Sequence, residues 1–332
     1  MLTAILLSVG AFVPATRAQV AAEDEHLIER PEVVVRLGAL DKEGRPVEGL
    51  KPEDLRVTVE GAPQNLLFFK QGAEGPLHVV VMLDASASQE RVLLWAQEGA
   101  DRLVPALLTG GSNDAAVVSF TGEVKVVRAL TSDAAAVRRA IASVEFVPPS
   151  GYIPGGIIIG GRPPDPNNDP NMRAGSTALW DALVGVCDEV FARAAPGGRA
   201  VVLVTDGVDT NSRTKSDKAV ERLLSEGVAV YSVGIGDEYS FDGVDKSALR
   251  KLSERTGGRA VFPKKINEVP VAFEQVRRDL LNFYTLKFNV PALWLAGKPL
   301  KLRVELINPE LRRQGVQLSY PQTLFKRPSA RK

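Results

Sequence analysis

Apolar strand-like segments that alternate with helical segments constrain the fold of this chain most strongly. Residues 78–83 form an almost continuous apolar run, and residues 199–205 form a second one. Such runs are typical of central strands that are covered on both faces. From residue 78 to residue 281, segments of this kind are separated by segments with helical periodicity, which indicates a parallel sheet with crossover helices. Two of the expected helices span residues 88–108 and 176–194, and residues 124–128 are expected to form an antiparallel strand at the sheet edge. We therefore predict a doubly wound, mostly parallel α/β fold.

Period-two alternation of apolar and polar residues marks the two flanks of this α/β region. It covers residues 31–70 and returns in residues 284–290, 301–307 and 316–319. Such alternation is typical of half-buried strands, so we predict that the N-terminal and C-terminal strands pair in a small β module. The predicted organisation is a signal peptide (1–18), an N-terminal β module (19–75), an α/β domain (76–282) with an insertion (147–175), C-terminal strands (283–325) and a basic tail (326–332).

The first 18 residues are mostly apolar and end in small residues, just before a polar run. This pattern is typical of a secretory signal peptide cleaved near Ala18, although the usual positive residues at its start are missing. A short membrane anchor is the alternative, but the stretch is shorter than the ~20 residues that a spanning helix needs. No other segment of the sequence is long and apolar enough. We expect an exported protein (periplasmic, cell-surface or secreted) without an integral membrane segment once the signal is removed.

Charge and cysteine content narrow the classes of partner and of chemistry. The chain has 41 Lys and Arg residues against 40 Asp and Glu residues, so no overall positive field attracts nucleic acid. Cys187 is the only cysteine, and its apolar neighbours predict a buried helix face rather than a reactive thiol. With only two histidines, the chain offers no histidine cluster for a metal. Any partner is therefore expected to bind at a local site.

Oxygen-bearing side chains gather where the predicted central strands end. The first apolar run is followed by Asp84, Ser86 and Ser88, the second is followed by Asp206, and Thr177 begins a predicted helix. The carboxyl ends of parallel strands share one edge of a sheet, where ligands bind in α/β folds. Carboxylate and hydroxyl oxygens are hard ligands that suit magnesium, with manganese or calcium as alternatives. The sequence predicts one divalent-cation site made by these five residues.

Each of the five residues also has a purely structural interpretation, as a helix cap or a strand-ending turn. We prefer the metal site because five coincident caps at one sheet edge are a less economical explanation. Asp181 and Asp209 are interpreted as mainly structural, with support of the ligands as the alternative. Asp165 and Asp169, in the insertion, are interpreted as solvated, with contact to a second ion as the alternative.

Taken in order, the segments 84–88, 175–183 and 206–207 resemble the metal-ion-dependent adhesion site of von Willebrand factor type A domains. The resemblance covers roughly residues 76–282, and residues 41–55 resemble the N-terminal β module of exported bacterial relatives. It implies that Ser86 and Ser88 bind the ion directly and that Asp84 and Asp206 act directly or through water. Thr177 would join in the ligand-bound form, and one coordination position would stay open for an Asp or Glu of a protein partner.

One departure from the family pattern is the Pro- and Gly-rich insertion directly before Thr177, where the family is expected to have a short turn. We expect the insertion to lie beside the metal, where it would shape or cover the binding face.

The sequence thus predicts a metal-dependent adhesion-type binding module without catalytic activity. A phosphoryl-transfer hydrolase and a scaffold with a structural ion remain the alternatives. Against the hydrolase, Ser86 stands where a haloacid-type enzyme would carry a second Asp, and no phosphate-binding lysine motif is present in the sequence.

Overall fold

The structure is a computed structural model that describes residues 31–148, 152–153, 157–158, 176–236 and 243–326. The predicted signal peptide, most of the insertion with Asp165 and Asp169, and the tail beyond residue 326 lie outside the described residues. Within those residues, no helix has the length and apolar character needed to cross a membrane.

Strands and helices alternate through the middle of the chain, and strands dominate its two flanks. The strands are β1 (Glu32–Leu40), β2 (Leu55–Val59), β3 (Ala62–Gln64), β4 (Leu66–Gln71), β5 (Leu77–Asp84), β6 (Asp114–Phe120), β7 (Val124–Thr131), β8 (Tyr152–Ile153), β9 (Ile157–Ile158), β10 (Gly198–Thr205), β11 (Val228–Gly234), β12 (Ala260–Val261), β13 (Tyr284–Asn289), β14 (Leu300–Leu306), β15 (Gln317–Ser319) and β16 (Thr323–Leu324). The helices are α1 (Leu93–Leu108), α2 (Ala134–Ala142), α3 (Leu179–Gly185), α4 (Ser216–Ser225), α5 (Lys246–Thr256), α6 (Val269–Leu281) and α7 (Pro309–Arg313).

A six-stranded sheet of order β12-β11-β10-β5-β6-β7 forms the centre of the molecule. Its neighbouring strands are parallel except for β7, which pairs antiparallel with β6 at one edge. All eight residues of β5 are buried, as expected for a strand covered on both faces. The predicted mostly parallel sheet, including the antiparallel edge strand, is confirmed.

Helices cover both faces of this sheet and enclose two separate apolar cores. Val79 and Val81 of β5 pack on one face with residues of α1, α2 and α6. Val80 and Met82, which alternate with them, pack on the other face with residues of α3, α4 and α5. The side-chain period of two along a strand explains this division. The doubly wound architecture is therefore confirmed.

Strands from the two flanks of the chain form a third core. They make two four-stranded sheets, of order β15-β1-β13-β4 and β16-β14-β2-β3. In both sheets N-terminal strands pair antiparallel with C-terminal ones, for example β1 with β13 and β2 with β14. Tyr284 fastens a loop to this module, because its hydroxyl donates to the Val47 carbonyl and accepts from the Leu50 amide. The predicted pairing is confirmed, whereas the exact domain boundaries remain a prediction.

Two helices differ from the sequence-based expectation. The helix predicted from residue 88 begins at Leu93, because residues 87–89 form a short 3-10 turn instead. It continues through Pro105 to Leu108. The helix predicted from residue 176 begins at Leu179 and continues as a π-helical and then a 3-10 segment to Arg193. In both places the residues before the helix are tied into the sheet edge by the contacts described below.

Candidate metal centre

The ends of β5 and β10 bring the first predicted ligands together. These strands are adjacent and parallel, and Leu83 pairs with Val204 in their register. The next residue along each strand is therefore Asp84 on one side and Thr205 on the other, with Asp206 immediately after. Asp84 and Asp206 are each only 2% exposed. The carboxyl edge of the sheet thus places two buried carboxylates on neighbouring strands.

Hydrogen bonds fix the Asp84 carboxylate in one orientation. The Ser86 amide donates to its Oδ1 at 2.9 Å, and the Thr205 hydroxyl donates to its Oδ2 at 2.5 Å. The same Thr205 oxygen accepts the Gly207 amide at 3.0 Å. Gly207 itself has φ +82°, a left-handed conformation that favours glycine and turns the chain sharply after Asp206.

Without a bound cation, the two buried carboxylates at this edge have unfavourable electrostatic surroundings. Burial and, after it, the negative charge of Asp206 raise the pKa of Asp84 to about 7, against the hydrogen bonds from Ser86 and Thr205, which lower it. A positive ion bound near these carboxylates would offset both contributions, because an opposite charge stabilises the ionised form. The electrostatics of the site therefore fit a bound cation.

Ser86 and Ser88 supply neutral oxygens next to these carboxylates. Their hydroxyl oxygens lie 3.3 Å apart, and Ser86 is 1% exposed. The 3-10 turn after Ser86 brings the two side chains to the same side of the chain. Hydroxyl and carboxylate oxygens together form a donor set for a hard cation.

Gln89 is a part of this site that the sequence analysis missed. Its side-chain amide is buried and donates to Asp206 Oδ2 at 3.2 Å and to the Ile235 carbonyl at 3.3 Å. The other Asp206 oxygen accepts the Val208 amide at 2.9 Å. Gln89 therefore connects the turn after β5 to the loop after β10 and orients Asp206. Nothing in the spacing of the sequence marks this long-range contact.

Thr177 reaches the same region through its backbone. Its carbonyl accepts the Thr210 and Asn211 amides at 2.9 and 3.0 Å, and its amide donates to the Thr210 hydroxyl at 2.9 Å. The residue is 4% exposed. Within the described residues, no hydrogen bond links its hydroxyl to the other four predicted ligands. Thr177 thus lies against the loop that follows Asp206, and its role as a ligand stays a prediction.

Asp181 and Asp209 stabilise that loop rather than face the other carboxylates. Asp209 accepts the Leu179 amide at 2.9 Å, which ties the loop to the start of α3. Asp181 accepts the Arg213 and Thr214 amides at 2.9 and 2.8 Å. These hydrogen bonds agree with a mainly structural role for both aspartates.

In the described part of the chain, no three His, Cys, Asp or Glu residues are grouped so that they could hold a metal. A site at this edge would therefore rely on two carboxylates plus hydroxyls. Such an all-oxygen set suits magnesium, manganese or calcium better than a soft metal.

The comparison with known families agrees with this geometry. The family model for the von Willebrand factor type A domain matches residues 167–275, which include Thr177 and Asp206. This match identifies von Willebrand factor type A sequence in the chain over these residues. The matched segment does not reach Asp84, Ser86 or Ser88, although β5 and its following turn belong to the same central sheet. No curated protein sequence matches the chain.

Solved structures with a similar fold include proximal thread matrix protein 1 from the mussel byssus. It is 18% identical with a TM-score of 0.50, and the match covers 67% of this chain and 51% of that protein. A second structure of the mussel protein, with zinc in its MIDAS motif, has 17% identity, a TM-score of 0.46 and coverages of 63% and 48%. A von Willebrand factor type A protein from Catenulispora acidiphila is 13% identical, with a TM-score of 0.47 and coverages of 90% and 74%. The chain spans about half the length of the mussel protein that it matches, and at these identities the likeness concerns the fold alone.

Proposed function

We propose that this chain is a metal-dependent protein-binding module whose cation is held by Asp84, Ser86, Ser88, Thr177 and Asp206. The observation that carries the proposal is the meeting of two buried carboxylates and two serine hydroxyls at the carboxyl edge of adjacent central strands. The family match supports a binding role rather than catalysis, because the function of this domain is generally interaction.

The chemistry of the ligands indicates what the partner supplies. Magnesium, or manganese or calcium in its place, would provide a positive centre at the rim of the sheet. Because Ser86 and Ser88 are neutral, the protein would neutralise the ion only partly and leave it attractive to another anion. The proposed partner is therefore a protein with an exposed Asp or Glu. Export is part of the same proposal and rests on residues 1–18, so the partner would be met in the periplasm, at the cell surface or outside the cell.

Calorimetric titration of the purified chain with Mg²⁺ and then Mn²⁺ tests the site. We expect saturable binding of one ion, lost in Asp84→Ala. The matched control is Asp114→Asn, which removes a carboxylate at the opposite, amino edge of the same sheet, where it contacts His78 at 2.7 Å. This control should bind the ion as the original chain does.

Circular dichroism of the same variants separates a binding role from a structural one. Asp84→Ala should keep the secondary structure, because the carboxylate lies at the end of β5 and not in an apolar core. Loss of secondary structure in this variant would assign Asp84 to the fold instead. Absence of ion binding in the unsubstituted chain would contradict the proposal directly.

A further inference from the structure

A positively charged groove runs along the exposed side of α5, beside the candidate metal centre. Its volume is about 490 Å³, and we call it the α5 groove. Its lining includes four basic residues, one acidic residue and one amide: Lys246, Arg250, Lys251, Arg255, Glu254 and Gln322. The net charge of the whole chain is only +1, so this concentration of positive charge is local.

Three of these cations are available to a ligand. Arg255 is already paired with Asp217 at 2.5 Å. Lys246, Arg250 and Lys251 are exposed, and none of them forms an ion pair within the residues that the structure describes. A surface groove that keeps unpaired cations side by side is complementary to an anionic ligand.

An aromatic ring restricts where two of these cations can lie. The Lys246 ammonium is 6.0 Å and the Arg250 guanidinium 5.4 Å from the centre of the Phe262 ring. Cations over an aromatic face are attracted to it, and their aliphatic stems pack on it. The two charges are therefore partly ordered before any ligand arrives, which lowers the entropic cost of binding.

The start of α5, where the groove begins, contacts the loop that carries Asp206 of the candidate metal centre. The Asp245 amide, at the cap of α5, donates to the Asp206 carbonyl at 2.7 Å. Leu249, in the first turns of α5, packs closely against Gly207. A Cβ atom at position 207 would lie only 2.7 Å from the Cγ atom of Leu249. From Lys246 to Arg255 the helix rises roughly 13 Å, at 1.5 Å per residue. The basic groove thus extends away from Asp206 along one helix.

We propose that the α5 groove binds an acidic segment of the protein partner, whose first carboxylate lies at the metal centre. Further Asp or Glu side chains of that segment would pair with Lys246, Arg250 and Lys251. The inference rests on the proposed function, because the metal centre provides the first contact. Continuity between the carboxylate site and the groove favours an acidic protein segment over a phosphate polymer as the ligand.

Binding of fluorescent poly-L-glutamate to the full chain in excess Mg²⁺ tests this inference. The groove variant is Lys246→Glu/Arg250→Glu/Lys251→Glu. The control is Lys125→Glu/Arg128→Glu/Arg139→Glu, which reverses the same number of exposed charges on β7 and α2, at the far edge of the sheet. We expect roughly tenfold weaker binding and a smaller salt dependence in the groove variant only, since each exposed ion pair typically contributes a factor of about two.

The outcomes separate the inference from the proposed function. Unchanged poly-L-glutamate affinity in the groove variant, with Mg²⁺ binding intact, would overturn the inference and leave the proposed function standing. No Mg²⁺ binding in the unsubstituted chain would overturn both. Tighter binding of inorganic polyphosphate than of poly-L-glutamate would overturn the assignment to an acidic protein.

A last variant tests whether the chain fills its own groove. Residues 237–242, which precede α5 and lie outside the described residues, include Asp237, Glu238 and Asp242. If neutralising these three residues to Asn, Gln and Asn increased the affinity for poly-L-glutamate by tenfold or more, the groove would be occupied by this segment and the partner proposal would be wrong. Unchanged affinity supports the proposal.

Discussion

Replacing Asp84 by Asn should stabilise the protein when no cation is bound. Burial, together with the charge of Asp206, raises the pKa of Asp84 from 3.8 to about 7. At about 1.4 kcal/mol per pKa unit, the ionised carboxylate disfavours the folded state by about 4 kcal/mol. An Asn side chain can still accept the Ser86 amide, but it presents an N–H group to the Thr205 hydroxyl, which costs about 1 kcal/mol. We therefore expect Asp84→Asn to raise the free energy of unfolding by about 3 kcal/mol at high pH.

The sign of this effect depends on pH. Because the pKa of Asp84 is higher in the folded state, the folded state binds the proton more tightly. The stabilising contribution of the protonated group is complete below the unfolded pKa of about 4 and is lost as the pH rises to about 7. Asn does not titrate, so the variant should be about 1 kcal/mol less stable than the original near pH 4 and about 3 kcal/mol more stable near pH 8.

Urea unfolding in EDTA, followed by circular dichroism at about pH 4 and about pH 8, measures this difference. Excess Mg²⁺ should then stabilise the original chain near pH 8 but not the variant, because only the original binds the ion. Asp114→Asn, at the amino edge of the same sheet, should show no gain at either pH. A variant that is less stable than the original near pH 8 in EDTA would refute the reasoning.

Three further predictions test the neighbouring structure. Gln89→Leu removes a hydrogen bond to Asp206 and should weaken Mg²⁺ binding by about tenfold in calorimetry, as losses of ligand-orienting residues do; unchanged affinity would contradict an orienting role. Gly99→Ala places a Cβ 2.2 Å from the Phe273 ring between α1 and α6, so it should lower the free energy of unfolding in urea by about 1–3 kcal/mol; a variant of equal stability would show that the helices can separate freely. Burial raises the pKa of the Cys187 thiol to about 12, so a thiol reagent should label it only in unfolding concentrations of urea; rapid labelling of the folded protein would contradict that burial.

Hydrophobic periodicity predicted the central sheet well, because a strand that is buried on both faces needs apolar residues at nearly every position. The continuous apolar runs became β5 and β10 with bounds within one residue of the prediction. Alternation likewise predicted the flanking strands, since only one face of each of those sheets meets a core. The sequence was therefore sufficient to locate strands wherever burial of one or both faces dictates which residues are apolar.

The contacts around the candidate metal centre were harder to predict because they join residues distant in sequence. Thr205 donates to Asp84 across 121 positions, and Gln89 donates to Asp206 across 117. Neither Gln89 nor Thr205 has a distinctive sequence signal of its own. The start of α1 was placed too early for a related reason, because a Ser- and Gln-containing turn resembles a helix start until its side chains are seen to face the sheet edge.

Two buried carboxylates of this protein, Glu226 and Asp84, have opposite electrostatic surroundings. Glu226 is buried between Arg199 and Arg222, each 2.6 Å away, so its negative charge is compensated within the protein. Asp84 is equally buried, but the charge with the largest effect on its pKa is the like charge of Asp206. Burying the Asp84 carboxylate beside a like charge therefore destabilises the folded protein, whereas burying Glu226 between two arginines does not leave its charge uncompensated. Protonation of Asp84 or binding of a cation removes this cost, and where Asp84 is ionised the removal of the cost by a cation adds to the affinity for the ion. This imbalance is a physical reason for a metal at this edge that does not depend on any sequence motif.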